Sequence, residues 1–335
     1  MKKPLIILTG PTAAGKTALS VRLAQEIRGE IISADSMQVY RGMNIGTAKV
    51  TEAEKGGVPH HLIDVLDPRE PFSVCAFRRM AKAAVARIHE NGHVPILVGG
   101  TGFYIQSVLY DIDFDDNAEE TTLRETLQQE FDALGAEQMH RRLRAIDPEA
   151  AAAIHPNNRK RVLRAIAFYQ LTGKKISQHN REQRRRESPY EFLYYVLTME
   201  RQALYRRIEL RVDRMMANGL LEEVKALRDR GMHADLTSMQ GIGYRQIFDY
   251  LDGIATIEEA VERIKRETRH FAKRQLTWFR REPDAIWLCA EDFGNDRGRM
   301  LKRMKAESAA MLTRCRWRPD SENMGSVSDH TCAEI

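Results

Sequence analysis

The sequence predicts an α/β fold, in which a mostly parallel sheet carries helices on both faces and a helical insertion separates two of the strands. Strand and helix signals alternate over residues 1–110, a glycine-rich turn joins the first strand to the first helix, and no strand signal occurs within 112–190. Strands that alternate with helices are typical of parallel sheets. We therefore expect a core of residues 1–111 and 191–290, a helical insertion at 112–190 and a disordered tail at 317–335.

The elements of the first part of the core follow from apolar periodicity. Short apolar runs of strand length alternate with segments whose apolar residues recur at helical spacing, and Gly29 and Gly92 end two of these segments. Strands are predicted at Leu5–Leu8, Ile31–Ala34, His61–Val65 and Val94–Val98, and helices at Ala18–Ile27 and Phe77–Asn91.

The composition of the chain changes near Asp111. Acidic residues dominate 111–137 and basic residues dominate 141–186, and neither stretch shows a strand pattern. The apolar run Phe192–Leu197 then returns the chain to the sheet. Further helices are predicted at 202–217, at 220–230 and from the capping box Thr256–Glu259 to Arg281, and a last strand at Ile286–Leu288.

Length, charge and cysteine usage limit the class of protein. The 335 residues suffice for one large core and a second unit, and a net charge of +5 suits a polyanionic partner. The four cysteines have no metal-ligand spacing, which indicates reduced thiols in a cytoplasm. The sequence contains no secretory segment and no apolar stretch long enough for a membrane span, so we expect a cytoplasmic protein without a membrane partner.

The most informative motif is Gly10–Thr17, which fits the phosphate-loop spacing G-x-x-x-x-G-K-[ST] between a strand and a helix. In such a loop, backbone N–H groups and the helix N-terminus surround phosphate oxygens. Lys16 is expected to reach a terminal phosphate, and the Thr17 hydroxyl to bind Mg²⁺. The motif predicts a core like that of P-loop NTPases and a magnesium-complexed di- or triphosphate, held by Gly10, Thr12, Ala13, Ala14, Gly15, Lys16 and Thr17.

Two further strand ends carry polar residues, and the ligands of parallel sheets collect at such ends. Asp35 has three interpretations: a carboxylate that holds Mg²⁺ through water, a general base, or a turn carboxylate. Gln38 carries an amide suited to reading an adenine edge. Thr101, in the glycine turn Gly99–Tyr104, either donates to a phosphate or leaving oxygen or belongs to a plain strand–helix turn.

Positive charge is concentrated in three clusters. Eight bases with interleaved aromatic residues lie between Arg263 and Arg281, and because they do not form one stripe, we expect some to point toward the active site. The other clusters are Arg159–Arg164 and Arg184–Arg186. Such runs form solvated helix faces or a nucleic-acid surface, and their presence in a phosphate-binding chain favours nucleic acid.

The residues alone leave two classes of protein open, a P-loop small-molecule kinase that uses ATP and a nucleic-acid-binding module with a vestigial phosphate loop. The strand Val94–Val98 ends in glycine instead of the Mg²⁺-binding aspartate that such kinases usually carry. This difference and the basic clusters count against the kinase.

Taken together, several segments resemble the tRNA dimethylallyltransferase (isopentenyltransferase) family. They follow the family's order from residue 4 to residue 288, whereas nothing past residue 290 matches. Ala14 departs from the family, which usually has serine there, but backbone amides do most of the phosphate binding, so we expect a functional loop. The matching segments are Gly10–Thr17, Asp35–Lys49, Pro59–Asp64, Gly99–Tyr104, Asn157–Ala165, Gly241–Arg245 and Thr268–Trp278.

The resemblance implies transfer of a dimethylallyl group from dimethylallyl diphosphate to N6 of the adenine 3′ of the anticodon, in tRNAs that read codons starting with U. The phosphate loop then holds a diphosphate leaving group rather than ATP, with Mg²⁺ on Thr17. Asp35 is implied to be the general base, and Gln38 to orient the adenine. Thr101 and Arg211 are implied to stabilise the diphosphate, and Arg206 and Arg207 on the same helix are alternatives to Arg211.

The implied partner is the anticodon stem-loop of tRNA, from which the adenine must be extruded to reach a buried site. We expect the enzyme to act as a monomer. Contacts with tRNA are implied for Asp35, Ser36, Met37, Gln38, Arg124, Arg159, Lys160, Arg161, Arg164, Gly241, Ile242, Gly243, Tyr244 and Arg245.

Overall fold

The computed structural model describes residues 2–111, 118–184 and 186–317, with side chains except at 118–122, 124 and 184. The described chain forms two compact units, one comprising the residues up to Val108 and from Tyr190 onward, and the other comprising Leu109–Pro189. Several predictions lie outside the described residues, namely those for the side chains of Arg124 and Arg184, for Arg185 and for the tail from 318 to 335.

The first unit is built on a sheet of six strands. In chain order, they are β1 Lys3–Thr9, β2 Gly29–Ala34, β3 His60–His61, β4 Val94–Gly99, β5 Tyr190–Thr198 and β6 Ala285–Cys289. Their order across the sheet is β3-β2-β4-β1-β5-β6, and every neighbouring pair is parallel. Leu5, Ile6, Ile7 and Leu8 of the central strand are fully buried, as expected of a parallel sheet that is covered on both faces.

The helices of the described residues fall into those of the sheet unit and those of the second unit. In the sheet unit they are α1 Lys16–Ile27, α2 Glu52–Lys55, α3 Val74–Glu90, α4 Gly102–Leu109, α10 Arg201–Ala217, α11 Leu220–Asp229, α12 Tyr244–Leu251, α13 Ile257–Phe279 and α14 Arg297–Arg314. The second unit contains α5 Ala118–Leu134, α6 Ala136–Ile146, α7 Pro148–Ala153, α8 Arg159–Thr172 and α9 Ile176–Arg184. Parallel strands with helices between them, and a separate helical unit, confirm the predicted fold class.

The third strand and the α3 helix begin or end at other residues than the sequence predicts. The strand expected at His61–Val65 is confined to His60–His61, because Leu62 and Asp64 adopt positive φ angles of 63° and 56° and turn the chain away from the sheet. Helix α3 begins at Val74, since the hydroxyl of Ser73 accepts a hydrogen bond from the backbone N–H of Ala76 and caps it.

The sheet unit also continues past residue 290, where the predicted core ends. Helix α14 packs against α1, and its buried Met304 and Met311 join Leu19 and Leu23 of α1 in one apolar cluster. Trp317, predicted to begin the tail, packs with its ring centroid 5.1 Å from that of His89. The last helix thus completes the core on the side of the first helix.

The register of the central strands brings three chain segments to one edge of the sheet. Thr9 pairs with Gly99, and Ala34 pairs with Gly99 on its other side. The Thr9 hydroxyl also donates a hydrogen bond of 2.7 Å to the Gly99 carbonyl. The phosphate loop, Asp35 and the Gly99–Tyr104 turn therefore follow strands that end side by side, at the carboxyl-terminal edge of the sheet.

The second unit has an apolar core of its own, which includes Leu127, Met139, Leu143, Val162 and Ile166. Asp147 joins its helices, because the carboxylate accepts hydrogen bonds from the backbone N–H of Ala150 and from the hydroxyl and N–H of Ser177. These hydrogen bonds keep the pKa of Asp147 below its usual range against the opposing effect of burial.

Candidate active site

The phosphate loop connects β1 to α1 and curls around the ammonium group of Lys16. Lys16 Nζ donates to the carbonyl oxygens of Gly10 and Pro11 at 3.0 and 2.9 Å. Burial and, to a smaller extent, the neighbouring charge of Arg211 lower the pKa of Lys16 to about 8, against the opposing effect of Asp35. The ammonium group therefore has two hydrogen-bond acceptors on its own loop, and an anion at this position would stabilise its charge.

Arg211 of α10 is the second cation of the site. Burial lowers the pKa of its guanidinium, and the nearby carboxylate of Asp35 opposes this effect. Within the described residues, neither Arg211 nor Lys16 forms an ion pair, although both interact electrostatically with Asp35. Two cations that lack an ion-pair partner beside a phosphate loop form a place for a multiply charged anion.

Asp35 follows directly after β2 and uses one carboxylate oxygen to shape the next turn. Its Oδ1 accepts hydrogen bonds from the backbone N–H groups of Met37 and Gln38, at 2.8 and 3.4 Å. No described residue donates a hydrogen bond to Oδ2 of Asp35. Burial, Tyr40 and Asp35 together raise the pKa of Tyr104, so this phenol stays protonated near the carboxylate. The turn interpretation is thus compatible with a base function, because one oxygen holds the turn and the other is available.

Gln38 holds a neighbouring loop. Its Oε1 accepts from the hydroxyl of Ser33 at 3.0 Å, and its Nε2 donates to the carbonyl oxygens of Thr47 and Ala48 at 3.3 and 3.4 Å. The expected role of Gln38 in orienting an adenine stays a prediction. The structure adds that its side chain is fixed by the segment that follows it.

The Gly99–Tyr104 turn faces the phosphate loop, and Gln275 of α13 joins the two. Gln275 Oε1 accepts from the backbone N–H of Thr12 at 2.9 Å, and its Nε2 donates to the Gly100 carbonyl at 3.0 Å. Thr101 donates its backbone N–H to Ala34 at 3.4 Å, whereas its hydroxyl has no hydrogen bond to a described residue. The Thr101 hydroxyl is therefore available to a ligand, and its contact with a phosphate or leaving oxygen stays a prediction.

Two further cations lie beside the loop: Arg207, which the sequence offered as an alternative to Arg211, and Arg297, which sequence reasoning missed. Arg207 lies one helical turn before Arg211, and Arg297 begins α14. The Arg297 guanidinium lies so close to Gly15 that a side chain at this glycine would collide with it, and Gly15 has a φ of 92° that favours glycine. A cavity of about 150 Å³ beside Gly15 is lined by both arginines and by the carboxylate-bearing Glu291.

No described residue forms an ion pair with Arg207 or Arg297, and burial together with the charge of Arg297 lowers the pKa of Arg207. The phosphate loop is therefore bordered by Lys16 and three arginines, two of which come from α10. The sequence carries one signal for this arrangement. Arg207 and Arg211 are four residues apart in one predicted helix, so they lie on the same face of it.

The Gly241–Arg245 segment reaches the turn after Asp35. A side chain at Gly241 would lie 3.3 Å from Sδ of Met37, so these two predicted tRNA-contacting residues are neighbours. Tyr244, by contrast, is buried, and Arg245 forms an ion pair of 2.5 Å with Glu267. The contacts of both residues with tRNA stay predictions. In this structure, Tyr244 donates a hydrogen bond to Glu223, and Arg245 is paired with Glu267.

The basic residues of α13 are partly used inside the sheet unit. Arg263, Lys265 and Arg269 form ion pairs of 2.7 to 2.8 Å with acidic residues of α12 and α10. These three bases therefore pair with carboxylates of the same unit, and the expectation that some bases of α13 point toward the active site stays a prediction. The neutral Gln275 of this helix does reach the phosphate loop.

The basic cluster of the second unit lies at the start of α8. Arg159 is ion-paired with Asp132 at 2.7 Å, and its guanidinium lies 5.1 Å from the ring centre of Phe131. Lys160, Arg161 and Arg164 are exposed. Three of the four predicted residues thus present positive charge to solvent, while Arg159 stabilises its own unit.

The residues at the loop fit a magnesium ion that arrives with its ligand. Thr17 is exposed in the first turn of α1, beside Lys16. The described ranges contain no group of three His, Cys, Asp or Glu residues that could hold a metal ion. Mg²⁺ commonly combines one or two protein oxygens with water and substrate phosphates, which suits a single hydroxyl.

In the described part of the chain, no helix is long and apolar enough to span a membrane.

Comparison with known proteins shows the family of the chain. A family model described as IPP transferase matches residues 38–282, and one described as isopentenyl transferase matches residues 3–67. The tRNA dimethylallyltransferase of Lachnoclostridium phytofermentans is 54% identical over 303 residues, which cover 90% of this chain and 97% of the relative. That of Bacillus subtilis is 51% identical over 287 residues, which cover 86% and 91%.

Solved structures give the same result. The full-length tRNA isopentenylpyrophosphate transferase from Bacillus halodurans matches with a TM-score of 0.71 and 45% identity, covering 93% of this chain and 98% of that one. A eukaryotic dimethylallyltransferase acting on tRNA matches with a TM-score of 0.76 and 29% identity, covering 96% and 81%. These findings confirm the resemblance seen in the sequence motifs, and the chain belongs to the IPP transferase family.

Proposed function

We propose that this chain transfers a dimethylallyl group from dimethylallyl diphosphate to N6 of the adenine 3′ of the anticodon, in tRNAs that read codons starting with U. The observation that carries the proposal is the meeting of Asp35, Lys16 and Arg211, a carboxylate with an available oxygen beside two cations. The names of the relatives, tRNA dimethylallyltransferases, support both substrates.

The cations suit the leaving group. When the allylic C–O bond breaks, the electron pair moves to the diphosphate, and preorganised positive charge lowers the barrier most where negative charge grows. Lys16, Arg211 and the hydroxyl of Thr101 border this position. Mg²⁺ on Thr17 would supply further charge neutralisation when it is bound. Lys16 exchanges its two carbonyl partners for phosphate oxygens, which also removes the cost of its buried charge.

Asp35 suits the nucleophile. The exocyclic amine of adenine is a poor nucleophile because its lone pair is delocalised into the ring. As the N6–C bond forms, the amine must lose a proton, and Oδ2 of Asp35 can accept it. The bond to diphosphate breaks, the bond to N6 forms and the proton moves to the carboxylate, so atoms and charges balance.

The acceptor is recognised by positive charge and by the segment after Asp35. Lys160, Arg161 and Arg164 present exposed charge that suits RNA phosphates. Met37 and Gly241 lie together beside Asp35, where an extruded base would arrive. The enzyme acts as a monomer in the cytoplasm under this proposal, and light scattering of the purified protein tests the first of these statements.

The deciding experiment offers the protein two donors. The purified chain is incubated with Mg²⁺ and unmodified tRNA, and with either dimethylallyl diphosphate or γ-labelled ATP. We expect isopentenyladenosine in digested tRNA with the first donor and no transfer of label with the second. Labelled phosphate on any acceptor, without prenylated adenosine, would instead establish the kinase class that the phosphate loop alone leaves open.

A further inference from the structure

Glu223 binds three consecutive backbone N–H groups of a loop that approaches the candidate active site. This glutamate lies in the first turn of α11. Its Oε2 accepts from the N–H groups of Asn44 and Ile45 at 2.9 and 2.7 Å. Its Oε1 accepts from the N–H of Gly46 at 3.1 Å and from the hydroxyl of Tyr244 at 2.6 Å. Successive N–H groups of this kind form a concavity for an anion, and here the protein fills it with its own carboxylate.

The ring of Tyr244 packs against the same loop. Burial, followed by the charge of Glu223, raises the pKa of this phenol, so its hydroxyl remains a donor to the carboxylate. A side chain at Gly46 would lie 2.6 Å from the ring carbons of Tyr244, so only glycine allows the loop to lie on the ring. At this end, the loop is thus held by hydrogen bonds from its backbone to one carboxylate and by close packing on the Tyr244 ring.

The other end of the loop holds Gln38. The carbonyl oxygens of Thr47 and Ala48 accept from Gln38 Nε2, while Ser33 donates to Gln38 Oε1. Lys49 closes the loop by donating to Asn44 Oδ1 at 3.0 Å and to other oxygens nearby. A chain of contacts therefore runs from Glu223 through residues 44–48 to the amide of Gln38, three residues from Asp35.

We infer that Glu223 is a positioning residue for the accepting base. It fixes residues 44–48, and through them it fixes the amide of Gln38 against an adenine in the site. This inference rests on the proposed function for the identity of the base. Glu223 itself does not touch the reacting atoms, so its effect falls on tRNA recognition and not on the donor.

The requirement for a carboxylate follows from counting acceptors. Four donors converge on Glu223, and its two oxygens serve two donors each. The Glu223→Gln variant keeps the length of the side chain but replaces one oxygen with an amide NH₂, which donates and cannot accept. At least one loop N–H or the phenol then loses its partner. Glu222, the exposed neighbour on the same helix turn, offers a matched control as Glu222→Gln.

The first measurement reports on the loop without any substrate. Hydrogen exchange of the amides of residues 44–46 is compared among the wild type, Glu223→Gln and Glu222→Gln, with thermal unfolding as a check of folding. We expect protection to fall about tenfold or more only in Glu223→Gln. Unchanged protection would overturn the inference whether or not the proposed activity is correct.

The second measurement tests the route through Gln38. With tRNA and dimethylallyl diphosphate, Glu223→Gln should raise the KM for tRNA about tenfold or more, with the KM for the donor within about twofold of the wild type. In a Gln38→Ala background, the same substitution should cost less than about threefold, because the two residues act through one contact chain. Full additivity, or an equal loss of donor affinity, would show a general structural role and contradict the inference.

Failure of the two proposals can be distinguished. If the wild type and Glu222→Gln both fail to prenylate tRNA, the proposed function is wrong, while the exchange data still decide whether Glu223 anchors the loop. If both are active and Glu223→Gln matches them in KM for tRNA, the function stands and the positioning role is refuted.

Discussion

Replacing Lys16 with methionine should make the ligand-free protein more stable while it abolishes donor binding. Burial and Arg211 lower the pKa of Lys16 to about 8 from 10.5. A pKa unit corresponds to about 1.4 kcal/mol, so the folded protein holds this ammonium at a cost of about 3 kcal/mol relative to the unfolded chain. The two hydrogen bonds to Gly10 and Pro11 offset about 1 kcal/mol each. The net gain for Lys16→Met is therefore about 1 kcal/mol at pH 7.

The pH dependence of this gain has a defined sign. Between pH 8 and 10.5, the unfolded chain binds a proton at Lys16 that the folded protein has lost, so stability of the wild type rises with pH in this range. The advantage of Lys16→Met should be complete below pH 8 and should be lost as the pH rises above 8, and at pH 10.5 the variant should be less stable than the wild type, because the wild type has then lost its charge cost and keeps its hydrogen bonds. A substitution that merely improves packing would give an advantage that does not depend on pH.

The assay is thermal unfolding at several pH values, with the exposed Lys302→Met as a control. At pH 7, we expect the unfolding midpoint of Lys16→Met to exceed that of the wild type by about 2 °C. Saturating Mg²⁺-diphosphate should reverse the order, since ligand at 100 times its Kd adds about 2.7 kcal/mol to the wild type alone. Two results would refute the claim that the buried charge of Lys16 destabilises the folded protein. One is a variant of equal or lower stability at pH 7, and the other is an advantage of the variant that persists at pH 10.5.

Three further predictions concern the base, Arg297 and the RNA surface. Asp35→Asn should lower the single-turnover rate of prenyl transfer by about 10² to 10⁴ while donor affinity stays within a few fold, and a normal rate at saturation would exclude a general base. Arg297→Ala should weaken binding of Mg²⁺-diphosphate in calorimetry by about tenfold, whereas Arg299→Ala, on the same helix, should not; equal effects would leave Arg297 outside the site. Replacing Lys160 and Arg161 with alanine should reduce the salt dependence of tRNA binding by up to about 2 in slope without changing donor affinity, and an unchanged slope would mark these residues as solvated surface.

The sheet and its site edge could be predicted because their signals are local. The apolar run at Leu5–Leu8 is long enough for a strand and is followed at once by the phosphate-loop spacing, which fixes the direction of both flanking elements. Asp35 and Thr101 follow strands of the same parallel sheet, so their convergence needed only the rule that strand ends share an edge. In the structure, Ala34 and Thr9 both pair with Gly99, so the three strands end next to one another at the same edge of the sheet.

The remaining residues of the site could not be predicted in this way, because their partners are distant in sequence. Gln275 and Thr12 are separated by 263 positions, and Glu223 and Asn44 by 179. A glutamine inside a basic helix and a glutamate in an amphipathic one carry no local sign of such partners. Arg297 lies beyond the last matching motif, and its helix was absent from the prediction altogether.

The hydrogen bonds and charges of the site indicate what kind of ligand it accepts. Its polar groups satisfy one another: Lys16 binds the carbonyls of its own loop, and Gln275 occupies the N–H of Thr12. A ligand must therefore compensate for the contacts it breaks, and a singly charged anion offers little beyond what the loop already provides. The charge of Arg211 lowers the pKa of Lys16, and the charge of Arg297 lowers the pKa of Arg207, so an anion with several negative charges would relieve the repulsion within each pair. We therefore expect a diphosphate to bind more tightly than a monophosphate, because the larger anion offers more oxygens to the lysine of the loop and the arginines at its border.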